Sequence, residues 1–384
     1  MKILADANIV DVSALYEKHG DLRLMSGREI SAADVADVDA LLVRSITKIN
    51  KALLAGSNVQ FVATATSGTD HFDWPYLDKH GIAAVSAPGS NANAVVEFCL
   101  ASFAELIHRK KFDLRGKTVG IVGYGNVGSR LYKALSSLGL DCKVCDPFLA
   151  QQCAEIQFHS LEDVLACSII SLHTPLTTSG PHPTYQMLNA ERIDALAPGT
   201  LLVNAGRGEL VDGAALKRRL QNKGDITTII DCWETEPSID RELLALVDIG
   251  TPHIAGYSIE AKRSASARNY ASFLAHFALQ DCTAGDAGNA DRQVLLIDET
   301  AATEPMDLLA AVLRQAFPVR DIDTALRAAD AGNGATVFDR IRKEISQRRE
   351  FAHFDLDLTR LSAAQRTPEL LRQLRALGFG LQGE

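Results

Sequence analysis

Short apolar runs separated by stretches of helical periodicity recur through the first part of the chain, at residues 3–5, 22–25, 40–43, 61–65 and 83–85. Runs of this length without polar alternation read as strands buried on both faces, which is the pattern of a parallel sheet covered by crossover helices. The pattern resumes at 118–122, 168–172, 201–204, 228–231 and 247–250 and predicts a second doubly wound sheet that ends near His253. Between the two sets, residues 89–93 read as the cap of a long helix running to about His108. A second long helix, from Ser258 to about Leu279, would carry the chain back to the first sheet. The expected fold is α/β, with a discontinuous lobe of residues 1–90 and 256–282, flavodoxin-like, and a Rossmann lobe of residues 91–255. Past Cys282 the pattern changes: the small-residue stretch DCTAGDAGNADR at 281–292 reads as a linker, followed by a strand-like run at 294–297 and helical stretches. Residues 283–384 are expected to form a small α+β domain.

Within the second sheet, the stretch KTVGIVGYGNVGSRLYKALSSLGLDCKVCD at 117–146 is a strand, a glycine turn, a helix and a strand that closes on an acid. Gly123, Gly125 and Gly128 have the spacing G-x-G-x-x-G. The first glycine permits the tight turn, the second lets the backbone approach a pyrophosphate, and the third lets helix and strand pack closely. Asp146 stands where a carboxylate accepts hydrogen bonds from the adenosine ribose hydroxyls. It is followed by Pro147 and Phe148, with no nearby arginine for a 2′-phosphate, so the expected cofactor is NAD rather than NADP.

Composition closes off other classes. A chain of 384 residues, 47% hydrophobic and 23% charged, is globular and long enough for two or three domains. Its net charge of −9 argues against nucleic acid or an anionic membrane as the main partner, while leaving room for a local basic pocket. The start, MKILADANIVD, lacks a long apolar core and a cleavage-like site, and no segment has the apolar length of a membrane span, so a cytoplasmic protein is expected. Seven scattered cysteines fit reduced thiols. Cys142 and Cys145 form a C-x-x-C along a predicted strand rather than at a helix start, which argues against a redox or metal centre, and no metal is expected.

Loops that leave parallel strands gather at one sheet edge, where ligands bind. In the first lobe, VRSITK at 43–48 and TATSGTDH at 64–71 offer cations, hydroxyls and a glycine. Arg44, Ser45 and Thr66 read equally well as an anion-binding wall and as caps and surface ion pairs, whereas Asp70 and His71 read better as structural residues. In the second lobe, NAGRGELVD at 204–212, DCWETEP at 231–237 and TPHIAG at 251–256 bring an arginine, a carboxylate and a histidine to strand ends. Oxidising a 2-hydroxy acid requires loss of the hydroxyl proton as hydride leaves the same carbon, and histidine titrates in the right range. His253 is the candidate base. Glu236 would raise its pKa, and Arg207 offers a fork that matches a carboxylate and can polarise the nascent carbonyl.

On GIVGYGNVG, HTPL at 173–176, NAGRGELVD, DCWETEP and TPHIAG, residues 1 to about 280 resemble the D-isomer-specific 2-hydroxyacid dehydrogenase family. The resemblance implies catalysis by Arg207, Glu236 and His253. It also implies cofactor contacts at Asn126, Val127, Asp146, Thr174, Ala205 and Asp231, beside the three glycines of the turn and with Gly206, Arg207 and Gly256. Gly206 stands where the family more often has Ala or Cys, a departure expected to be tolerated. Many members continue from the histidine with two glycines and Thr or Ser; here the sequence is HIAGYSIEAK at 253–262. That stretch, VRSITKIN, ATSGTDHFD and the added C-terminal domain are similar to one branch of the family, which oxidises a phosphorylated four-carbon 2-hydroxy acid in vitamin B6 synthesis. In that branch the third domain builds a homodimer, and Ser45, Thr66 and Tyr257 match substrate-binding positions. Arg44 and Lys48 are the candidate cations for the phosphate. Two other readings use the same triad: a dehydrogenase for a phosphorylated acid one carbon shorter, against which HIAGYSIEAK argues, and a non-catalytic dinucleotide sensor, against which the anion-ready loops of the first lobe argue.

Overall fold

The computed structural model describes residues 1–109, 112–153, 155–281, 292–298, 302, 304–329 and 333–383. The linker expected at 281–292 lies, apart from its first and last residues, outside the described residues, as do Lys110 and Lys111. The chain divides into two compact units, Met1–Asn91 with Ile259–Asn289 and Ala92–Ser258 with Ala290–Glu384.

The first unit is a five-stranded parallel sheet of β1 (Lys2–Asp6), β2 (Asp21–Met25), β3 (Ala40–Val43), β4 (Phe61–Thr64) and β5 (Ala83–Val85), in the order β2-β1-β3-β4-β5. β3 and β4 are buried at every position, as their unbroken apolar runs require of strands covered on both faces. The helix Ile259–His276 returns to this sheet and places Tyr270, Phe273 and Leu274 in one core with Ile3, Ala5, Leu42 and Phe61. The Phe273 ring meets Tyr16 edge-on at 5.0 Å and Phe61 at 5.9 Å. A helix far along the sequence is thus held by aromatic burial rather than by its own weak amphipathic pattern.

The second unit has a six-stranded parallel sheet of β6 (Thr118–Val122), β7 (Asp141–Cys145), β8 (Ile169–Leu172), β9 (Leu201–Asn204), β10 (Thr227–Ile230) and β11 (Ile249–Gly250). The order is β11-β10-β9-β8-β6-β7, so β6 pairs with β7 on one side and β8 on the other and marks the switch point. β11 has two residues where a four-residue strand was expected. The helix Ala92–His108 is buried almost all round, because it packs against this unit's core and against the helix Pro305–Ala316 of the C-terminal segment. Two acids on this helix anchor that segment: Glu105 accepts from Arg314 Nε at 3.0 Å, and Glu97 accepts from Arg348 Nη1 at 2.6 Å and from the Phe351 amide at 2.7 Å. Burial pushes Glu97 up to about 8, against the pull of Arg348.

The C-terminal segment carries β12 (Gln293–Leu296), β13 (Phe354–Asp357) and β14 (Gly380–Gln382), paired β12-β13-β14 and all parallel. The α+β expectation for this segment therefore gives way to an α/β pattern, since parallel strands need helical crossovers between them. The six described cysteines are free thiols, with Cys142 and Cys145 on β7. No described helix is long and apolar enough to cross a membrane.

Candidate active site

Three loops past strand ends of the second sheet are pinned together by buried polar groups. Asn204, the last residue of β9, donates from Nδ2 to the Arg207 carbonyl at 2.8 Å and to the Cys232 carbonyl at 3.5 Å, and its Oδ1 accepts from the Gly206 amide at 3.2 Å. One side chain thus fixes the turn that carries Arg207 against the loop after β10. Gly208 brings the two loops into direct backbone contact, since a Cβ there would lie 2.0 Å from the Trp233 carbonyl carbon. Gly206 is closely packed as well: an added Cβ would meet Leu210 Cδ1 at 2.9 Å and the Leu172 carbonyl oxygen at 3.0 Å.

Asp231 holds the third loop. It is fully buried, accepting at Oδ1 from Thr251 Oγ1 at 2.6 Å and from the Ile254 amide at 2.8 Å, and at Oδ2 from the Ala255 amide at 3.0 Å. Its own carbonyl accepts from the His253 amide at 2.8 Å. These bonds over-determine a strained backbone, for His253 sits at φ 52, a region that non-glycine residues rarely occupy. Trp233 adds a clamp from the other side, with Nε1 donating to the Thr251 carbonyl at 2.8 Å.

The strained turn presents His253 to Glu236, with Nδ1 and Oε2 2.7 Å apart. The other carboxylate oxygen of Glu236 accepts from the Trp233 amide at 2.8 Å, so the acid is oriented before it meets the imidazole. Burial alone would lower the His253 pKa; the Cys232 sulfur and the Glu236 carboxylate, through charge and hydrogen bonding, together more than offset it and hold His253 well above its ordinary value. Burial would raise Glu236, and His253, the Trp233 amide and the Arg342 guanidinium together keep it below the usual carboxylate range. Burial pushes the Cys232 thiol up to about 11, so it is a neutral neighbour of the pair, with Sγ 3.3 Å from the Gly206 carbonyl oxygen. Ligand atoms of Cys232, Glu236 and His253 lie within 4.8 Å of one another. Arg207 is half-buried, with Nη1 2.9 Å from the Gly206 carbonyl oxygen.

At the switch point, Gly123 and Gly128 have no room for side chains: a Cβ would stand 2.8 Å from the His173 carbonyl oxygen and 1.9 Å from the Gly123 carbonyl oxygen, respectively. Gly125 differs, because a Cβ there meets nothing within 4 Å. It is also the N-cap of the helix Asn126–Ser137 and supplies no side-chain cap, so the first-turn amides of Asn126 and Val127 open onto accessible space. These residues fit a dinucleotide pyrophosphate. Asp146 is half-buried; its carboxylate accepts from the amides of Tyr124 at 3.0 Å, Phe148 at 3.2 Å and Leu149 at 3.1 Å. A carboxylate has acceptor capacity beyond three such bonds. Thr174 is half-buried near Met187, Ala205 is half-buried, and Gly256 follows the Asp231-bound loop.

The residues expected at the substrate have more varied settings. Arg44 is closed on the buried Asp6, with Nε to Oδ2 at 2.8 Å and Nη2 to Oδ1 at 3.3 Å, so its fork already holds a carboxylate. Ser45 and Lys48 are exposed. Thr66 Oγ1 lies 2.8 Å from Thr64 Oγ1 and donates to the Gly68 carbonyl at 3.0 Å. His71 Nε2 lies 3.1 Å from Thr64 Oγ1, and burial lowers its pKa to about 4, as suits a structural histidine. The Tyr257 carbonyl accepts from Arg348 Nε at 2.9 Å. Asn204, Thr251 and Cys232 were not singled out from the sequence. Asn204 and Thr251 leave one trace there, each being a polar residue at the end of an apolar run. Arg342 leaves none, because Tyr257 and Glu236, which link it to the site, stand far earlier in the chain.

Residues 102–255 match the family described as D-isomer specific 2-hydroxyacid dehydrogenase, NAD binding domain. An erythronate-4-phosphate dehydrogenase of Chromohalobacter salexigens is 44% identical over 360 residues, covering 93% of this chain and 94% of its own. One from Pseudomonas aeruginosa is 41% identical over 385 residues, covering 99% of this chain and 100% of its own. Among solved structures, the NAD+-bound 3-phosphoglycerate dehydrogenase of Entamoeba histolytica is similar with a TM-score of 0.63 at 28% identity, over 72% of this chain and 95% of that one. The likeness to the erythronate-4-phosphate dehydrogenases is higher and spans nearly the whole chain. With an acid–imidazole pair, an arginine and a glycine turn at strand ends of one sheet, and with these relatives, the chain belongs to the D-isomer specific 2-hydroxyacid dehydrogenases and is an NAD-dependent enzyme of that family.

Proposed function

We propose that this enzyme oxidises 4-phospho-D-erythronate to 2-oxo-3-hydroxy-4-phosphobutanoate, a step toward vitamin B6. The observation that carries the chemistry is the 2.7 Å contact between His253 Nδ1 and Glu236 Oε2 on strained, pre-fixed backbone. The substrate rests on the two relatives that are 44% and 41% identical along nearly the full chain. Bound NAD supplies the hydride acceptor. Glu236 holds the Nδ1 proton of His253 and so leaves Nε2 as the atom that takes the substrate hydroxyl proton. As the C–H pair leaves as hydride, the hydroxyl oxygen becomes a ketone, and Arg207 stabilises the negative charge that builds on that oxygen while binding the carboxylate. In the reverse direction the imidazolium returns the proton, and the upward shift of His253 favours that form. We assign the pyrophosphate to the turn at Gly123, Gly125, Asn126, Val127 and Gly128 and the ribose to Asp146. Thr174, Ala205, Gly206, Asp231 and Gly256 complete the cofactor set, and Ser45, Thr66 and Tyr257 contact substrate. We further propose a cytoplasmic homodimer formed through the domain at 283–384.

The test is turnover of 4-phospho-D-erythronate and of 3-phosphoglycerate by the purified enzyme with NAD, followed by reduced-nicotinamide absorbance, with a 2-keto acid supplied so that bound NADH is reoxidised. Faster turnover of 3-phosphoglycerate would replace the substrate assignment. Binding of NAD with no turnover of either acid would favour a sensor.

A further inference from the structure

The helix Gly334–Glu344 of the C-terminal segment carries Arg342, whose guanidinium lies 5.2 Å from the centre of the Tyr257 ring and 5.7 Å from that of Phe338. Arg342 Nε is buried and has no hydrogen-bond partner among the described residues. Its burial opposes the charge; the charge and hydrogen bond of Tyr257 and the charges of Glu236 and Asp339 more than offset that opposition, so the guanidinium remains a cation whose charge reaches the acid of the His253–Glu236 pair. The other arginine of this segment that faces Tyr257 makes the contrast. Arg348 donates to the Tyr257 carbonyl at 2.9 Å, to Glu97 at 2.6 Å and to the Arg349 carbonyl at 3.2 Å, with its guanidinium carbon 4.3 Å from the Phe317 ring centre. Arg348 is a satisfied structural clamp. Arg342 is a cation on an aromatic wall, with a donor that folding leaves unmet, and a buried N–H without a partner is costly unless a ligand completes it.

We propose that Arg342 binds the phosphate of the substrate, so that the C-terminal segment builds part of the catalytic site of its own chain. The inference rests on the phosphorylated-acid reading above. Arg207 matches the planar carboxylate next to the reacting carbon, and the second anionic group of the same molecule needs a second cation. Arg44 is less suited to it, being already bidentate to Asp6. A guanidinium 5.2 Å from the Tyr257 ring centre can give a phosphate two N–H bonds at once, and the Arg348 bond to the Tyr257 carbonyl holds the backbone that carries that ring.

The experiment compares Arg342→Met and Arg342→Lys with the unaltered enzyme, taking kcat and KM for 4-phospho-D-erythronate and for unphosphorylated D-erythronate, and competition by inorganic phosphate. In Arg342→Met the preference for the phosphorylated acid should fall about ten- to a hundredfold, mainly through KM, the size expected of a lost charge-assisted bond. Arg342→Lys should recover part of it, and in both variants inorganic phosphate should inhibit less. Equal losses on both acids, or a change in kcat alone with phosphate inhibition intact, would overturn the proposal and leave Arg342 as a support for Tyr257 and Glu236. Thermal unfolding and NAD affinity identify a variant that has merely misfolded, in which case Arg342→Lys and the phosphate competition decide. If the unaltered enzyme does not oxidise 4-phospho-D-erythronate, the substrate reading has failed rather than the assignment of Arg342.

Discussion

The two parallel sheets each place a basic side chain beyond a strand beside an acid, yet they use these charges differently. In the first unit Arg44 follows β3 and closes on Asp6 at the end of β1, an acid with no exposed surface. Each mainly satisfies the other. In the second unit the pair is His253 and Glu236, with side chains 33% and 21% exposed. One member is an imidazole that can take up and give back a proton, and both remain reachable from solvent. Strand-end position is therefore common to scaffold and site; a titratable partner and residual access are what separate the two.

The contrast breaks most directly at His253. If it is the proton acceptor, His253→Ala should cut turnover about 10²- to 10⁴-fold while NAD affinity stays close to that of the unaltered enzyme. Near-normal steady-state turnover would make this pair as structural as Asp6 and Arg44. Next in size is Asp146, whose carboxylate already accepts three backbone amides. If it also receives the ribose hydroxyls, Asp146→Ala should weaken NAD binding by about 1.5–3 kcal/mol in a calorimetric titration. Unchanged affinity with the fold intact would mean that its bonds to the turn are its whole role.

On the scaffold side, Arg44→Met should leave the Asp6 carboxylate buried with its bonds from Asn8, at 2.9 Å from the amide and 3.1 Å from Nδ2. The expected loss is about 1–3 kcal/mol in denaturant unfolding, the cost of an unmet buried acceptor, with a smaller effect on kcat/KM. Full stability combined with a large rise in KM would reverse the comparison and return Arg44 to the substrate.

What the sequence disclosed followed from how local each signal was. The glycine turn, Asp146 and the three strand-end segments are legible because each short motif needs only its own strand and loop to acquire meaning. The Asp6–Arg44 pair was not legible as a pair, since it depends on β1 lying beside β3 in the register Ile3 to Ala40. β13 was hidden for a different reason: FDLD buries alternate residues only, and four residues of mixed polarity give no run to detect. Arg342 meets Tyr257 through packing of the C-terminal helices, which no spacing in the chain encodes.

The smallest effect probes the pairing at the site itself and turns on a sign. If His253 takes the hydroxyl proton, oxidation needs the neutral imidazole and its rate falls on the acid side of the His253 pKa, which Cys232 and Glu236 together hold above the ordinary histidine value. Glu236→Gln keeps a hydrogen-bond acceptor near Nδ1 but removes the charge that favours the imidazolium, so the folded-state pKa drops and the acid limb of kcat/KM moves to lower pH. Reduction uses the imidazolium, which is lost as pH rises through that pKa; its alkaline limb should therefore move to lower pH in the same variant. Measuring kcat/KM across pH in both directions checks the two shifts together. A displacement of one limb without the other, or of neither, would mean that His253 does not owe its basicity to Glu236, and that the 2.7 Å contact orients the ring without tuning it.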